Sequence, residues 1–165
     1  MEWRSGDMVD VCRETNADGI VFTANSVVTK SGELVMGAGA AKRVQNCFPN
    51  SLAKALGAQI LKDVSVQVQP DYHLAGVVFK QKSNPDLPFY IFALQVKRDF
   101  RLPGDLKLTI ASLGSLVNWC EEHPNTRLVM NCPLIGLGGF AAQKEEIVNL
   151  VSETLAKTSV IVTIM

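Results

Sequence analysis

The sequence predicts an α/β domain in three layers, with helices on both faces of a central sheet, and two patterns predict it. Short unbroken apolar runs occur at Gly19-Ile20-Val21-Phe22-Thr23, Leu128-Val129-Met130 and Val160-Ile161-Val162-Thr163-Ile164. Such runs are what strands buried on both faces look like. Between them lie segments whose apolar residues recur at steps of three and four, the spacing of one helix face. Strands alternating with helices place helix layers on either side of a sheet.

Taken in order, Gly19 to Thr23 is the first of these strands. The glycine-containing run Val35-Met36-Gly37-Ala38-Gly39-Ala40-Ala41 opens a helix, and Asn50-Ser51 caps another over Leu52 to Leu61. Leu74 to Lys80 and Phe89 to Val96 read as strands separated by the turn-rich Lys82 to Pro88. Asp105 is placed to cap a helix from about Leu106 to Glu122, whose apolar stripe is Leu106, Ile110, Leu113, Val117 and Cys120. His123 before Pro124 marks its end, where a cationic side chain suits the helix dipole. Leu128 to Met130 is a further strand. A last helix begins near Gln143 and carries Ile147, Leu150, Val151, Thr154 and Leu155 on one face, before the final strand at Val160 to Ile164.

The composition suits one domain over residues 1–165: 47% of residues are hydrophobic, and 16 Lys and Arg balance 16 Asp and Glu. Zero net charge argues against a broad basic stripe, so any nucleic-acid contact is expected to be local. The start, Met1 to Asp7, is too polar for a signal peptide, and no apolar run reaches the roughly 20 residues that span a bilayer. A cytoplasmic protein without membrane contact is expected, and a monomer. Cys12, Cys47, Cys120 and Cys132 contain no Cys-x-x-Cys pair, so neither a metal site nor a redox dithiol is indicated and no cofactor is expected. Neither His73 nor His123 stands in a recognisable nucleophile context.

Two glycine-rich segments carry the chemistry. In the first, Gly37 and Gly39 flank Ala38, so main-chain N–H groups can approach a ligand closely just before a helix N-terminus that favours anions. It is not a P-loop, which needs Gly-x-x-x-x-Gly-Lys-Ser/Thr, nor a dinucleotide fingerprint, whose third glycine is replaced by Lys42. Kinase signatures are absent as well. A lone Gly-x-Gly fits an ordinary strand-to-helix turn equally well. The second segment, Asn131-Cys132-Pro133-Leu134-Ile135-Gly136-Leu137-Gly138-Gly139-Phe140, follows a strand. Open α/β sheets bind ligands at that edge, and two such loops can clamp a diphosphate.

Asn25 with these two loops resembles the macrodomain family, whose members bind ADP-ribose between two loops of this kind, and the resemblance spans nearly the whole chain. It implies a mixed, mostly parallel central sheet. Gly6-Asp7-Met8 resembles the family's Gly-Asp-hydrophobic signature, which gives Asp7 and Met8 to the adenine end. Thr23-Ala24-Asn25 resembles the end of its Asn-bearing strand, which sets Asn25 at the distal ribose. Met36, Gly37, Ala38, Gly39, Ala40 and Ala41 stand where the family wraps ribose and phosphates, joined by Ile135, Gly136, Leu137, Gly138, Gly139 and Phe140 from the second loop. With Phe48-Pro49 following, the match is to the branch of terminal ADP-ribose-protein glycohydrolases and of antitoxins that remove ADP-ribose from DNA bases.

That branch has a catalytic lysine at a strand end, and the context Phe89 to Arg101 assigns the role to Lys97, with Asn25 beside it. The lysine attacks the ring-opened sugar as an amine or serves as acid to the leaving group; a simple charge partner for phosphate is the plain alternative. The loop aspartate of the protein-directed members is missing, since direct alignment puts Phe140 there. Allowing an offset of one residue, Gly136 to Phe140 matches the DNA-directed loop instead. Asp99 is a substitute acid if it shares a strand face with Lys97. The partner implied is ADP-ribose or an ADP-ribosylated macromolecule, and the expected activity is hydrolysis at the distal ribose. A non-catalytic ADP-ribose reader and an ADP-ribose 1″-phosphate phosphatase are the alternatives. The stretch Val27 to Leu34 is expected to form a lip over the ribose pocket.

Overall fold

A computed structural model describes residues 1–48, 51–64, 72–80, 88–133 and 143–164. The elements are β1 (Glu2–Ser5), α1 (Met8–Thr15), β2 (Gly19–Ala24), α2 (Gly39–Cys47), α3 (Ser51–Val64), β3 (Leu74–Lys80), β4 (Pro88–Gln95), α4 (Leu106–Glu122), β5 (Leu128–Asn131), α5 (Lys144–Leu155) and β6 (Ile161–Ile164). The strands form one six-stranded sheet in the order β1-β6-β5-β2-β4-β3. Every pairing is parallel except β3 with β4. The sheet is therefore mixed and mostly parallel, as expected.

Alternation along the strands builds two cores. Ile20, Phe22 and Ala24 of β2, with Ile91 and Ala93 of β4, face a layer made by α1, α2 and α3. Val21, Phe92, Leu94 and Met130 face Leu113 and Leu116 of α4 and Ile147, Val151 and Leu155 of α5. Both faces of the middle strands are covered, which is why their sequences are apolar without interruption. Among the described residues no helix is long and apolar enough to cross a membrane.

Two elements had no sequence assignment. β1 is an edge strand with mostly exposed residues, held by Trp3, whose Nε1 donates to Ser152 Oγ at 3.1 Å. α1 spans only eight residues, and Asp7 caps it by accepting from the N–H groups of Val9 and Asp10.

On α4 the expected stripe needs correction. Asp105 does cap the helix, accepting from Leu108 N–H at 3.0 Å, and His123 ends it with Nδ1 2.8 Å from Trp119 O. Leu113 is fully buried, but Leu106 and Ile110 are exposed, and Leu108, Thr109 and Ser112 face inward in their place. Thr109 sits inside because its hydroxyl donates to Asp105 O at 2.8 Å, so the polar atom is satisfied within the helix.

The Val27 to Leu34 stretch folds as a small hairpin, with Val28 bridged to Leu34 and Val35 N–H donating to Val27 O at 2.9 Å. It docks on α3. A Cβ at Gly57 would stand 2.1 Å from Gly32 O, so only glycine lets the hairpin backbone come this close.

Candidate functional site

Strands β2 and β4 run parallel in register, with Ala24 opposite Gln95, so their C-terminal ends open at one edge of the sheet. The backbones stay together past the strands. Val96 N–H donates to Ala24 O at 3.0 Å and Ser26 N–H to Arg98 O at 3.2 Å, and Ser26 Oγ donates to the same carbonyl at 2.7 Å. Lys97 thus lies two residues beyond β4, which ends at Gln95, and not on the strand itself.

Here Thr23, Ala24, Asn25, Val35, the run Gly37 to Ala41, Lys97 and Phe100 line a cavity of about 410 Å³. The structure therefore brings Asn25, Gly37, Ala38, Gly39, Ala40, Ala41 and Lys97 together. Of the Val27 to Val35 hairpin only Val35 borders this space, so the expected lip stands to one side. Met36 is buried in the apolar core beneath. Ile135, Gly136, Leu137, Gly138, Gly139 and Phe140 lie outside the described residues.

Asn25 is buried and stitched in place by its own amide. Its Nδ2 donates to Val35 O at 3.1 Å, its Oδ1 accepts from Val27 N–H at 2.8 Å, and Tyr72 Oη donates to its backbone carbonyl. Each amide end keeps one further donor or acceptor position. Tyr72 is itself buried, and burial pushes its phenol well above the ordinary range, so it acts as a neutral donor.

The glycine loop presents donors. Ala38 is extended and makes no side-chain cap to α2, so among the described residues the first-turn N–H groups of α2 are left uncapped. Gly39 adopts φ +59, a left-handed conformation that glycine takes without steric cost. Unpaired N–H groups and the helix dipole together favour an anion here.

Lys97 is half-buried, and its Nζ donates to Phe100 O at 3.4 Å. Asp99 shares no strand with it, because β4 ends at Gln95. Asp99 accepts from Arg101 Nε at 2.9 Å and Nη2 at 2.6 Å, and first this hydrogen bonding, then the Arg101 backbone N–H, holds its carboxyl down to about 2, with the charge of Lys97 adding to what lowers it. Asp99 is a bound anion beside its own arginine, and it cannot deliver a proton near neutral pH.

A second cavity of about 170 Å³ continues along α2 and shares Gly39 and Ala40 with the first. Asp7, Met8, Arg43, Asn131, Cys132 and Thr163 are on its wall. Asp7 and Met8 are thus placed at the far end of one cleft from Lys97. Asn131 holds the strands together there: its Oδ1 accepts from Thr23 N–H and its Nδ2 donates to Thr23 Oγ1, both at 3.0 Å. Sequence reasoning singles out none of Arg43, Asn131, Thr163 and Phe100 as a site residue, although Asn131 opens the second glycine-rich segment. Arg43 is legible only through Asp7, 36 residues away, with which it forms an ion pair.

Cys12 and Cys132 are buried, and burial pushes the thiols of Cys12 and Cys120 up to about 11, far from a thiolate at neutral pH. Among the described residues no group of three or more His, Cys, Asp and Glu is arranged to hold a metal ion.

No protein-family model and no curated protein matches the chain. Solved structures do. The macrodomain of Thermus aquaticus DarG superposes with TM-score 0.68 at 20% identity, covering 99% of this chain and 97% of that one. The macrodomain of Mycobacterium tuberculosis DarG gives 0.67 at 19%, over 98% and 95%. Thermosipho africanus DarTG in complex with ADP-ribose gives 0.65 at 16%, over 98% of this chain and 40% of that one. At these identities the likeness is one of architecture: the chain has the macrodomain fold.

Proposed function

We propose that the chain binds ADP-ribose along the cleft and hydrolyses an ADP-ribosyl bond at the distal ribose. The observation that carries this reading is the convergence of Asn25, the Gly37 to Ala41 backbone and Lys97 on one cavity at the C-terminal edge of two parallel strands. A structural relative of the same fold is described in complex with ADP-ribose. The pyrophosphate takes the uncapped N–H groups of α2, the adenine end lies toward Asp7 and Met8, and the distal ribose lies toward Asn25 and Lys97.

Breaking a glycosidic bond builds positive charge on the anomeric carbon, so the protein needs to hold the sugar, place an attacking group and neutralise the departing one. Asn25 supports the reading as an orienting group because its amide is immobilised by two hydrogen bonds. Lys97 is the one ionisable side chain among the described residues that border the larger cavity. As a neutral amine it attacks C1″ of the ring-opened sugar. The bond from C1″ to the macromolecule breaks as the departing group takes up a proton, and water then hydrolyses the resulting imine to release ADP-ribose and the free lysine. As an ammonium it instead protonates the leaving group while water attacks C1″. The test is release of ADP-ribose from ADP-ribosylated DNA and from glutamate-modified protein, with the parent and with Lys97→Ala. The variant is expected to bind ADP-ribose and to lose release by on the order of a hundredfold; equal rates would remove Lys97 from the chemistry.

A reader that binds without turnover is the second reading. What favours it is that no carboxylate borders the larger cavity among the described residues, while Asp99 is committed to Arg101. Binding with no release from either substrate would select it.

A further inference from the structure

The base end of the cleft contains a device that the strand-edge site does not explain. Asp7 Oδ1 accepts from the N–H groups of Val9 at 3.0 Å and Asp10 at 3.1 Å, which is its work as the cap of α1. Arg43, on α2, then closes on the same carboxylate: Nε lies 3.2 Å from Oδ1 and 3.1 Å from Oδ2, and Nη2 lies 3.1 Å from Oδ1. The other contacts of the guanidinium are Nη2 to Asp10 Oδ1 at 3.3 Å and Nη1 to Cys47 Sγ at 3.1 Å. Each of its three nitrogens has a partner, so the plane of the group is held, and Asp7 and Arg43 both border the smaller cavity.

Two consequences follow from elementary chemistry. A carboxylate gripped by a guanidinium stays ionised and can only accept hydrogen bonds. Among the described residues Oδ2 accepts from Arg43 Nε alone, which leaves one more acceptor position on that oxygen. A guanidinium fixed in one plane also offers a flat cationic face, the kind on which a planar heterocycle stacks.

We infer that Arg43 sets the base specificity of the cleft: by clamping Asp7 as an oriented, acceptor-only carboxylate it selects a heterocycle with an amino donor over one with an oxo acceptor at the same place. This rests on the ADP-ribose reading of the cleft and deepens it. Arg43 acts here as a positioning residue through Asp7. Without the clamp Asp7 keeps its capping bonds, but Oδ2 is no longer oriented, and discrimination falls even where the fold is intact.

The experiment compares the affinity of ADP-ribose with that of its hypoxanthine analogue, in which an oxo group replaces the adenine amino group, for the parent, Arg43→Leu and Arg43→Lys, with a melting curve for each. The parent is expected to prefer the adenine ligand by on the order of tenfold or more, because a mispaired polar group is costly in a site built for its partner. Arg43→Leu should bring the ratio toward one. Arg43→Lys, which keeps the charge but loses the fork, should fall between, and it carries the test if the leucine variant does not fold. A ratio unchanged in the folded variants would overturn the inference, as would a parent that binds both ligands alike. A parent that binds neither would overturn the ADP-ribose reading itself, a result visible before any variant is made.

Discussion

Asn25 and Lys97 border the same cavity because they follow adjacent parallel strands that end in register, Ala24 opposite Gln95, with Val96 N–H still donating to Ala24 O at 3.0 Å. Seventy-one residues of chain, with helices α2 and α3, separate them in sequence. The parallel pairing of β2 with β4 is what removes that separation, so the site depends on the sheet.

Asn25→Ala should cost stability as well as binding. The amide is buried, and its loss strands Val27 N–H and Val35 O inside the hairpin. Leaving such half-buried groups without their partner costs about 1 kcal/mol, the low end of the range for buried ones. Urea denaturation should show a lower midpoint at unchanged slope, and ADP-ribose affinity should fall beyond what the folded fraction explains. A variant as stable as the parent would show that the amide does not hold the hairpin.

Gly37→Val separates binding from folding. Among the described residues a Cβ at Gly37 meets no atom within 4 Å, and the residue borders the larger cavity, so the added side chain projects into it. Stability should change by no more than about 0.5 kcal/mol, while ADP-ribose affinity drops by on the order of tenfold. Equal affinity in a titration would mean that the ligand does not approach this backbone.

The two sides of α4 give a stability test. Leu113 is fully buried against the sheet, whereas Ile110 is 48% exposed. Leu113→Ala should destabilise by about 2–5 kcal/mol, and Ile110→Ala by about 0.5 kcal/mol or less. Thermal melts that rank the two the other way would contradict the observed face of the helix.

Acid should loosen the contact between α1 and α2. Burial pushes the Asp7 carboxyl up, but the hydrogen bond from Arg43, the N–H groups of Asp10 and Val9 and the charge of Arg43 outweigh it and hold the group below its ordinary 3.8. A carboxylate lowered by folding stabilises above its unfolded value and loses that contribution as pH falls through the folded one. Melting temperature should therefore decline more steeply below about pH 4 in the parent than in Arg43→Leu. Parallel declines would remove the pair from the acid response.

Much of this was legible because local pattern and tertiary role agree. The apolar runs at Gly19 to Thr23 and Leu128 to Met130 are strands because both faces of the sheet are covered, and Asp105 caps α4 as its position before the helix implies. Legibility failed where a partner is remote. The stripe through Leu106 and Ile110 has helical spacing but lies at the start of α4, where the inward positions belong to Leu108 and Thr109. Asp99 looked like a substitute acid because sequence does not show its engagement by Arg101. Neither the Arg43 clamp on Asp7 nor the anchoring of Asn25 by Tyr72, 47 residues away, has a local signature.

Calorimetric titration of the chain with ADP-ribose tests most directly whether this cleft is its binding site. A saturable one-to-one heat that weakens in both Gly37→Val and Asn25→Ala is the predicted result, since both residues border the larger cavity, from opposite ends of the connection between β2 and α2. No heat with the folded parent, or binding that neither substitution alters, would contradict it.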